Sequence, residues 1–214
     1  MTLDAIAEDA RAHSLGIYGA LHPTPDTAPE GIRTLVLLGP QEPGFWAHFI
    51  ASTEYRDGAP DSLDRWSERV IGALADSLGL SAFYPFGGPP YQPFISWARQ
   101  SGRAHVSPVG LLVHDIAGLM VSYRGALGLR ERLVLPEPPP NPCLACKPQP
   151  CRNACPVAAL KPGAAYDVQA CKTDLDNPAN DCMARGCATR RACPVSQSYG
   201  RVEAQSAFHM EAFR

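Results

Sequence analysis

The sequence predicts an α/β (α+β) body followed by a small cysteine-rich domain, and three observations carry this prediction. The chain has 214 residues and is 45% hydrophobic, which is enough apolar side chain to bury a core of ordinary domain size. Apolar residues before residue 140 recur with both helical and strand periods. All eight cysteines lie between Cys143 and Cys193, so the C-terminal third must meet a different physical requirement.

The body is predicted to alternate helices with short strands. Apolar side chains at helical spacing predict helices over 2–13, 44–52, 61–78 and 91–100. Short apolar runs bounded by glycine or proline predict strands over 15–21, 34–38 and 80–83. A further pair of apolar runs, 109–113 and 119–127, predicts a hairpin that turns at residues 115–118.

A proline-rich segment separates the body from the cysteines. Residues 136–142 read Pro-Glu-Pro-Pro-Pro-Asn-Pro, which is typical of a stiff extended linker. We therefore expect one domain over residues 1–138 and a second over residues 139–214.

Charge and hydropathy exclude several classes of protein. The formal net charge is −2, whereas proteins that coat nucleic acid are strongly basic. The most apolar stretch, residues 109–129, is interrupted by His114, Asp115 and Arg124, so we expect no membrane span. The first twelve residues lack the basic region and apolar core of a secretory signal. We expect a cytoplasmic protein whose partners are neither nucleic acid nor membrane.

The cysteines form two groups of four, and each group ends in a Cys-Pro dipeptide. The groups are Cys143, Cys146, Cys151, Cys155 and Cys171, Cys182, Cys187, Cys193. This is a distorted version of the bacterial two-cluster ferredoxin pattern, in which the cysteine before proline binds the other cluster. Carried over by order, that pattern assigns one [4Fe–4S] cluster to Cys143, Cys146, Cys151 and Cys193. It assigns the second to Cys155, Cys171, Cys182 and Cys187.

The charges around the cysteines agree with this interpretation. Residues 143–193 contain seven Lys or Arg and four Asp. The excess positive charge would partly offset anionic clusters and raise their reduction potentials. The alternative is that these bases form an ordinary solvated surface.

The spacing leaves three alternatives open for the cysteines. Disulfides would require an oxidising compartment. Two zinc sites of four cysteines each would favour pairs two to four residues apart, and Cys143 with Cys146 has that spacing. One cluster with spare thiols would follow from the widened gaps. We prefer two clusters, since they alone give a reason for both Cys-Pro endings.

The order of the eight cysteines, with Cys171 followed by Lys-Thr-Asp-Leu, resembles the tail of epoxyqueuosine reductase and related corrinoid-dependent reductases. The segment 109–125, with its His-Asp and Tyr-Arg-Gly sequences, resembles a hairpin shared by those reductases and the cobalamin-processing decyanase family. The resemblance implies a nitroreductase-like body that binds a cobalamin and a ferredoxin-like domain with two [4Fe–4S] clusters.

Five residues around the predicted hairpin are candidates for the cofactor site. Arg124, Tyr123 and His105 could bind the amide arms or phosphate of a corrinoid. Asp115 or His114 could deliver a proton during reduction. The alternative is that His114 and Asp115 only form a structural turn and that Arg124 is a solvent-exposed strand residue with no ligand.

The sequence thus predicts an iron–sulfur oxidoreductase that passes electrons to a corrinoid or similar small molecule. An electron donor such as a flavodoxin or a ferredoxin reductase is the expected partner. The main alternative is a ferredoxin-type electron carrier, or a cobalamin-binding protein without reductive chemistry of its own. A zinc-stabilised interaction module is the third possibility.

Overall fold

A computed structural model describes all 214 residues and shows a mixed α/β fold. The helices are α1 Leu3–Arg11, α2 Phe45–Ile50, α3 Thr53–Arg56, α4 Ser62–Leu78, α5 Phe94–Gln100, α6 Pro142–Ala145, α7 Val168–Asp174, α8 Cys182–Arg185, α9 Ala188–Arg191, α10 Pro194–Ser198 and α11 Glu203–Phe213. The strands are β1 Leu15–Leu21, β2 Thr34–Pro40, β3 Ser81–Phe83, β4 Ala104–Val106, β5 Leu112–His114 and β6 Gly125–Leu129. None of these helices is both long enough and apolar enough to span a bilayer.

The chain divides into two compact units. The first comprises residues 1–103 and 122–139, and the second comprises residues 104–121 and 140–214. The contacts therefore group the chain differently from a single boundary near residue 139. Residues 104–121 belong with the cysteine-rich segment, and the chain then returns to the first unit for β6.

The first unit is built on a four-stranded antiparallel sheet with the order β1-β2-β6-β3. Every residue of the two central strands, β2 and β6, is buried. Strands covered on both faces are apolar throughout instead of alternating, which is why β2 reads Thr-Leu-Val-Leu-Leu-Gly-Pro. The edge strands β1 and β3 contain the partly exposed positions.

Helix α4 supplies the largest apolar face to this sheet. Its buried positions recur every three or four residues and are Leu63, Trp66, Ser67, Val70, Ile71, Leu74 and Ala75. Trp66 meets Phe45 of α2 edge to face, with ring centroids 5.3 Å apart. The helix ends at Gly79, whose left-handed backbone lets its N–H reach the carbonyls of Ala75 and Asp76.

The predicted pairing of residues 109–113 with 119–127 is wrong, although the chain does turn at residues 115–118, where His114 and Gly118 form an isolated antiparallel bridge. Strand β5 pairs with β4, whereas β6 pairs with β2 and β3. The connecting turn is Ser107-Pro108-Val109-Gly110, where proline second and glycine fourth suit a type I turn. The Gly110 N–H donates to the Ser107 carbonyl at 3.0 Å. The apolar runs 109–113 and 119–127 predict a strand that begins at residue 109, and this pattern overlooks the turn at residues 107–110.

The second unit has a smaller core made partly of cysteine. Its largest buried cluster contains Val109, Val113, Leu119, Cys151, Leu160 and Cys193. A second cluster contains Leu175, Cys182 and Met210. Cys151, Cys182 and Cys193 are therefore part of the core of this unit, whereas the other five cysteines are partly exposed.

Gly39 tests the packing of the first unit, and its register partner Gly16 provides a matched control. A Cβ on Gly39 would lie 2.5 Å from the Tyr18 ring and 2.7 Å from the Ser122 carbonyl oxygen, whereas a Cβ on Gly16 meets nothing closer than 3.7 Å. We expect Gly39→Ala to lower the free energy of unfolding by about 1–3 kcal/mol because the strand is overpacked. Gly16→Ala should change it by less than about 1 kcal/mol.

Urea unfolding followed by tryptophan fluorescence checks this prediction, since all three tryptophans lie in the first unit. Equal effects of the two substitutions would contradict the packing described for β1 and β2.

Candidate functional site

Several thiols of the second unit stand at the beginnings of short helices. The Asn141 side chain caps α6 by accepting a hydrogen bond from the Cys143 N–H at 2.9 Å. Cys182 is the first residue of α8. Cys193 precedes α10, and Pro194 is the first residue of that helix. Proline suits this position because the N–H that it lacks would have no helical partner there. The Cys193-Pro194 dipeptide thus holds a thiol at the point where a helix begins.

Four of the eight thiols line one cavity of about 40 Å³ within the second unit. They are Cys143, Cys146, Cys151 and Cys193. The rest of the lining is Ser107, Pro108, Val113, Leu119, Pro142, Gln149, Pro150, Pro194 and Val195. Because these walls are mostly apolar, the thiols are the main chemistry that the cavity offers to a bound group.

Electrostatics show that these four thiols are neighbours. Burial raises the pKa of Cys143, and the adjacent thiols of Cys151, Cys193 and Cys146 raise it further. Burial also raises the pKa of Cys151, with Cys193 and Cys146 contributing in the same direction. Burial and the neighbouring thiols thus favour the protonated form of both groups, so binding a group through thiolates would release protons.

The remaining four thiols form a second neighbourhood. Burial raises the pKa of Cys171, as do the thiols of Cys187 and Cys155, whereas a hydrogen bond from the Tyr166 hydroxyl lowers it. Burial raises the pKa of Cys182, and the Cys187 thiol adds to the increase. The two neighbourhoods have the same members as the two ligand sets that the ferredoxin pattern assigns. The ligand role of these residues stays a prediction.

All eight cysteines are free thiols, and none is joined in a disulfide. No group of three or more His, Cys, Asp or Glu side chains is placed closely enough to coordinate a single metal ion. The donor set of the cavity nevertheless fits a group that takes four thiolates. Soft sulfur donors suit iron–sulfur clusters or zinc and do not suit magnesium or calcium.

Backbone and arginine contacts surround the second neighbourhood. The Ala159 N–H donates to the Cys155 sulfur at 3.3 Å. Arg190 donates to the Leu119 carbonyl. Burial lowers the pKa of Arg190, and the nearby Cys187 raises it. The guanidinium is therefore a partly buried positive charge beside a thiol, as the excess of bases in this segment suggested.

His114 and Asp115 lie in the second unit, with the imidazole completely buried. The His114 Nδ1 accepts hydrogen bonds from the N–H groups of Ile116 and Ala117 at 3.2 and 3.3 Å. Its Nε2 is 3.3 Å from an Asp115 carboxylate oxygen. Both ring nitrogens are thus engaged within residues 114–117, an arrangement that fixes the loop.

His105 also lies in the second unit, on β4 opposite Val113. Its Nε2 is buried without a hydrogen-bond partner. The structure thus places His105, His114 and Asp115 in the unit that contains the thiols, and none of the three lines the thiol cavity.

Tyr123 and Arg124 belong to the first unit. The Tyr123 ring meets Tyr18 edge to face at 6.1 Å. The Arg124 guanidinium donates to the Asp64 carboxylate at 3.2 Å and to the Tyr123 carbonyl at 3.0 Å. The Arg124 side chain is largely buried instead of solvated, and its ion pair connects the residue before β6 to α4.

Two residues near the thiols were not predicted from the sequence. Ser107 lines the thiol cavity, and the Tyr166 hydroxyl lowers the pKa of Cys171. Tyr166 lies five residues before Cys171, a separation that gives no helical or strand signal. Ser107 is distant from every cysteine in the sequence, and only the folded chain shows where its hydroxyl lies.

Comparison of the chain with protein-family models, with characterised proteins and with solved structures finds no match in any of the three. The residues and contacts described above therefore carry the argument for function.

His114 can be tested for a structural role with two substitutions. His114→Leu removes the acceptor of two N–H groups, of which that of Ala117 is in a fully buried residue. We expect this to destabilise the loop by about 1–3 kcal/mol. His114→Asn should retain most of the loop, because an asparagine oxygen accepts from N–H groups two and three residues later.

Hydrogen exchange measured by mass spectrometry on residues 112–120 distinguishes the two variants. Faster exchange in His114→Leu than in His114→Asn supports the loop-fixing role, and identical exchange in both would refute it.

Proposed function

We propose that this chain is an iron–sulfur oxidoreductase that passes electrons from two [4Fe–4S] clusters to a corrinoid, or to a similar cofactor or substrate, on a nitroreductase-like body. The observation that carries the proposal is the grouping of eight free thiols into two neighbourhoods of four. The second unit is then a ferredoxin-like domain. A cytoplasmic setting agrees with this, since reducing compartments keep thiols free.

The residues of the second unit have defined tasks in this proposal. Bound [4Fe–4S] clusters supply transfer of one electron at a time. Cys143, Cys146, Cys151 and Cys193 hold one cluster, and the apolar walls formed by Val113 and Leu119 limit the access of water. Cys155, Cys171, Cys182 and Cys187 hold the other. Arg190 places a positive charge beside Cys187, which favours an added electron at that site.

The electrons must enter from a donor, and a flavodoxin or a ferredoxin reductase has the suitable chemistry. The reaction class is reductive, such as reduction or removal of an upper ligand of cobalt. In this proposal Arg124, Tyr123 and His105 would bind the cofactor, and Asp115 or His114 would supply a proton.

Metal analysis with one variant in each neighbourhood tests the proposal. We expect the anaerobically reconstituted chain to contain about eight irons and eight sulfides, and to give a [4Fe–4S] EPR signal after reduction. Cys146→Ala and Cys171→Ala should each lower the iron and sulfide content by about half, because each disrupts one ligand set and leaves the other.

Ser198→Ala provides the control, since its exposed hydroxyl only donates to the Pro194 carbonyl within α10. It should retain the full iron content. A wild-type chain that takes up about two zinc ions and no iron would overturn the proposal.

A second candidate function is an electron carrier with no cofactor on the body. The observation that favours it is the engagement of the predicted cofactor residues in structural contacts. Arg124 pairs with Asp64, and both ring nitrogens of His114 have partners within their own loop. Such a carrier would use the thiol neighbourhoods alone.

Titration with hydroxocobalamin separates the two functions. The oxidoreductase proposal predicts a saturable change in the cobalamin visible spectrum. It also predicts at least tenfold weaker binding by Arg124→Gln, because a charged hydrogen bond to the ligand is lost. Arg99→Gln is the matched control, since Arg99 is an exposed residue of α5.

If the cobalamin spectrum does not change at saturating protein, the corrinoid-binding proposal is wrong and the electron-carrier function is favoured. Equal binding by wild type and both arginine variants would remove Arg124 from the cofactor site.

A further inference from the structure

Ser107 has a buried hydroxyl that the contacts within the protein do not explain. The residue is only 5% exposed, and its Oγ is buried without a hydrogen-bond partner. Leaving such a hydroxyl unpaired is energetically unfavourable, so buried hydroxyls almost always have a partner.

The backbone of Ser107 is held by two hydrogen bonds, which fix the position of its Cβ. Its N–H donates to the Leu111 carbonyl at 2.8 Å, and its carbonyl accepts from the Gly110 N–H at 3.0 Å. These bonds close the turn between β4 and β5. The Cβ therefore stays at the wall of the cavity as long as the turn is closed, and only rotation about the Cα–Cβ bond redirects the hydroxyl.

The cavity that Ser107 lines contains the first thiol neighbourhood, Cys143, Cys146, Cys151 and Cys193. Apart from these sulfurs and Gln149, the other side chains of the wall belong to Pro, Val and Leu. A water in a cavity of about 40 Å³ would need two to four polar partners, which such walls supply poorly. Four sulfurs and one amide oxygen, that of Gln149, are the side-chain acceptors of this wall, so sulfur is the most abundant acceptor near Ser107.

We propose that the Ser107 hydroxyl donates a hydrogen bond to a sulfur of the cluster held by Cys143, Cys146, Cys151 and Cys193, and that it raises the reduction potential of that cluster alone. This inference rests on the proposed function. A hydrogen bond to sulfur stabilises the extra negative charge of the reduced state, and such bonds are among the factors that set cluster potentials.

Redox titration followed by EPR tests the role of Ser107. Ser107→Ala should shift one of the two cluster potentials to a more negative value and leave the other unchanged. Ser107→Thr keeps the hydroxyl and should restore the wild-type value. Ser107→Val is a second hydroxyl-free variant should the alanine variant fail to assemble, and Ser198→Ala is the control for an exposed hydroxyl of the same unit.

A direct readout of the hydrogen bond comes from chains reconstituted in heavy water. Deuterium ENDOR of the reduced wild type should show an exchangeable deuteron coupled to the cluster, and Ser107→Ala should lose it. If the wild type assembles two clusters, but Ser107→Ala changes neither cluster potential and keeps the coupled deuteron, this inference alone is overturned. A wild-type chain that assembles no cluster would instead overturn the proposed function.

Discussion

The grouping of the cysteine thiols is the constraint on which the second unit depends. Four of its helices, α6, α8, α9 and α10, have only four or five residues, and helices this short are not stable alone. Its larger apolar cluster has only four buried residues besides two cysteines. A group bound by thiols from several of these segments would connect them, and its binding energy would become folding energy. We therefore expect the structure of this unit to depend on what its thiols hold.

The first unit is stabilised by the packing of apolar side chains in its core. Its two central strands are fully buried, and the long amphipathic helix α4 covers the sheet with aromatic and branched side chains. Arg124, the residue before β6, and Asp64 of α4 form an ion pair in which the carboxylate offsets only part of the desolvation of the arginine. This unit contains neither cysteine nor lysine, and its core is formed by apolar side chains of the sheet and helices.

Local signals explain which features could be predicted. Strand β1 and helix α4 were located to within a residue, because turn residues bound the strand and a regular apolar period ends at Gly79. The hairpin was wrong because strand pairing is a non-local property, and β6 takes its partners from strands far away in the sequence. The buried hydroxyl of Ser107 and the pairing of Arg124 with Asp64 depend on tertiary contacts that no spacing reveals. The membership of the two thiol neighbourhoods, in contrast, followed the order of the cysteines.

Native mass spectrometry of the anaerobically reconstituted chain tests most directly whether the two thiol neighbourhoods hold two clusters. The method keeps bound groups in place and reports the mass of each species. Our account predicts one dominant species that is heavier than the bare chain by two Fe₄S₄ units, with a minor species carrying one. A dominant species with the mass of the bare chain, or of the chain with two zinc ions, would contradict it.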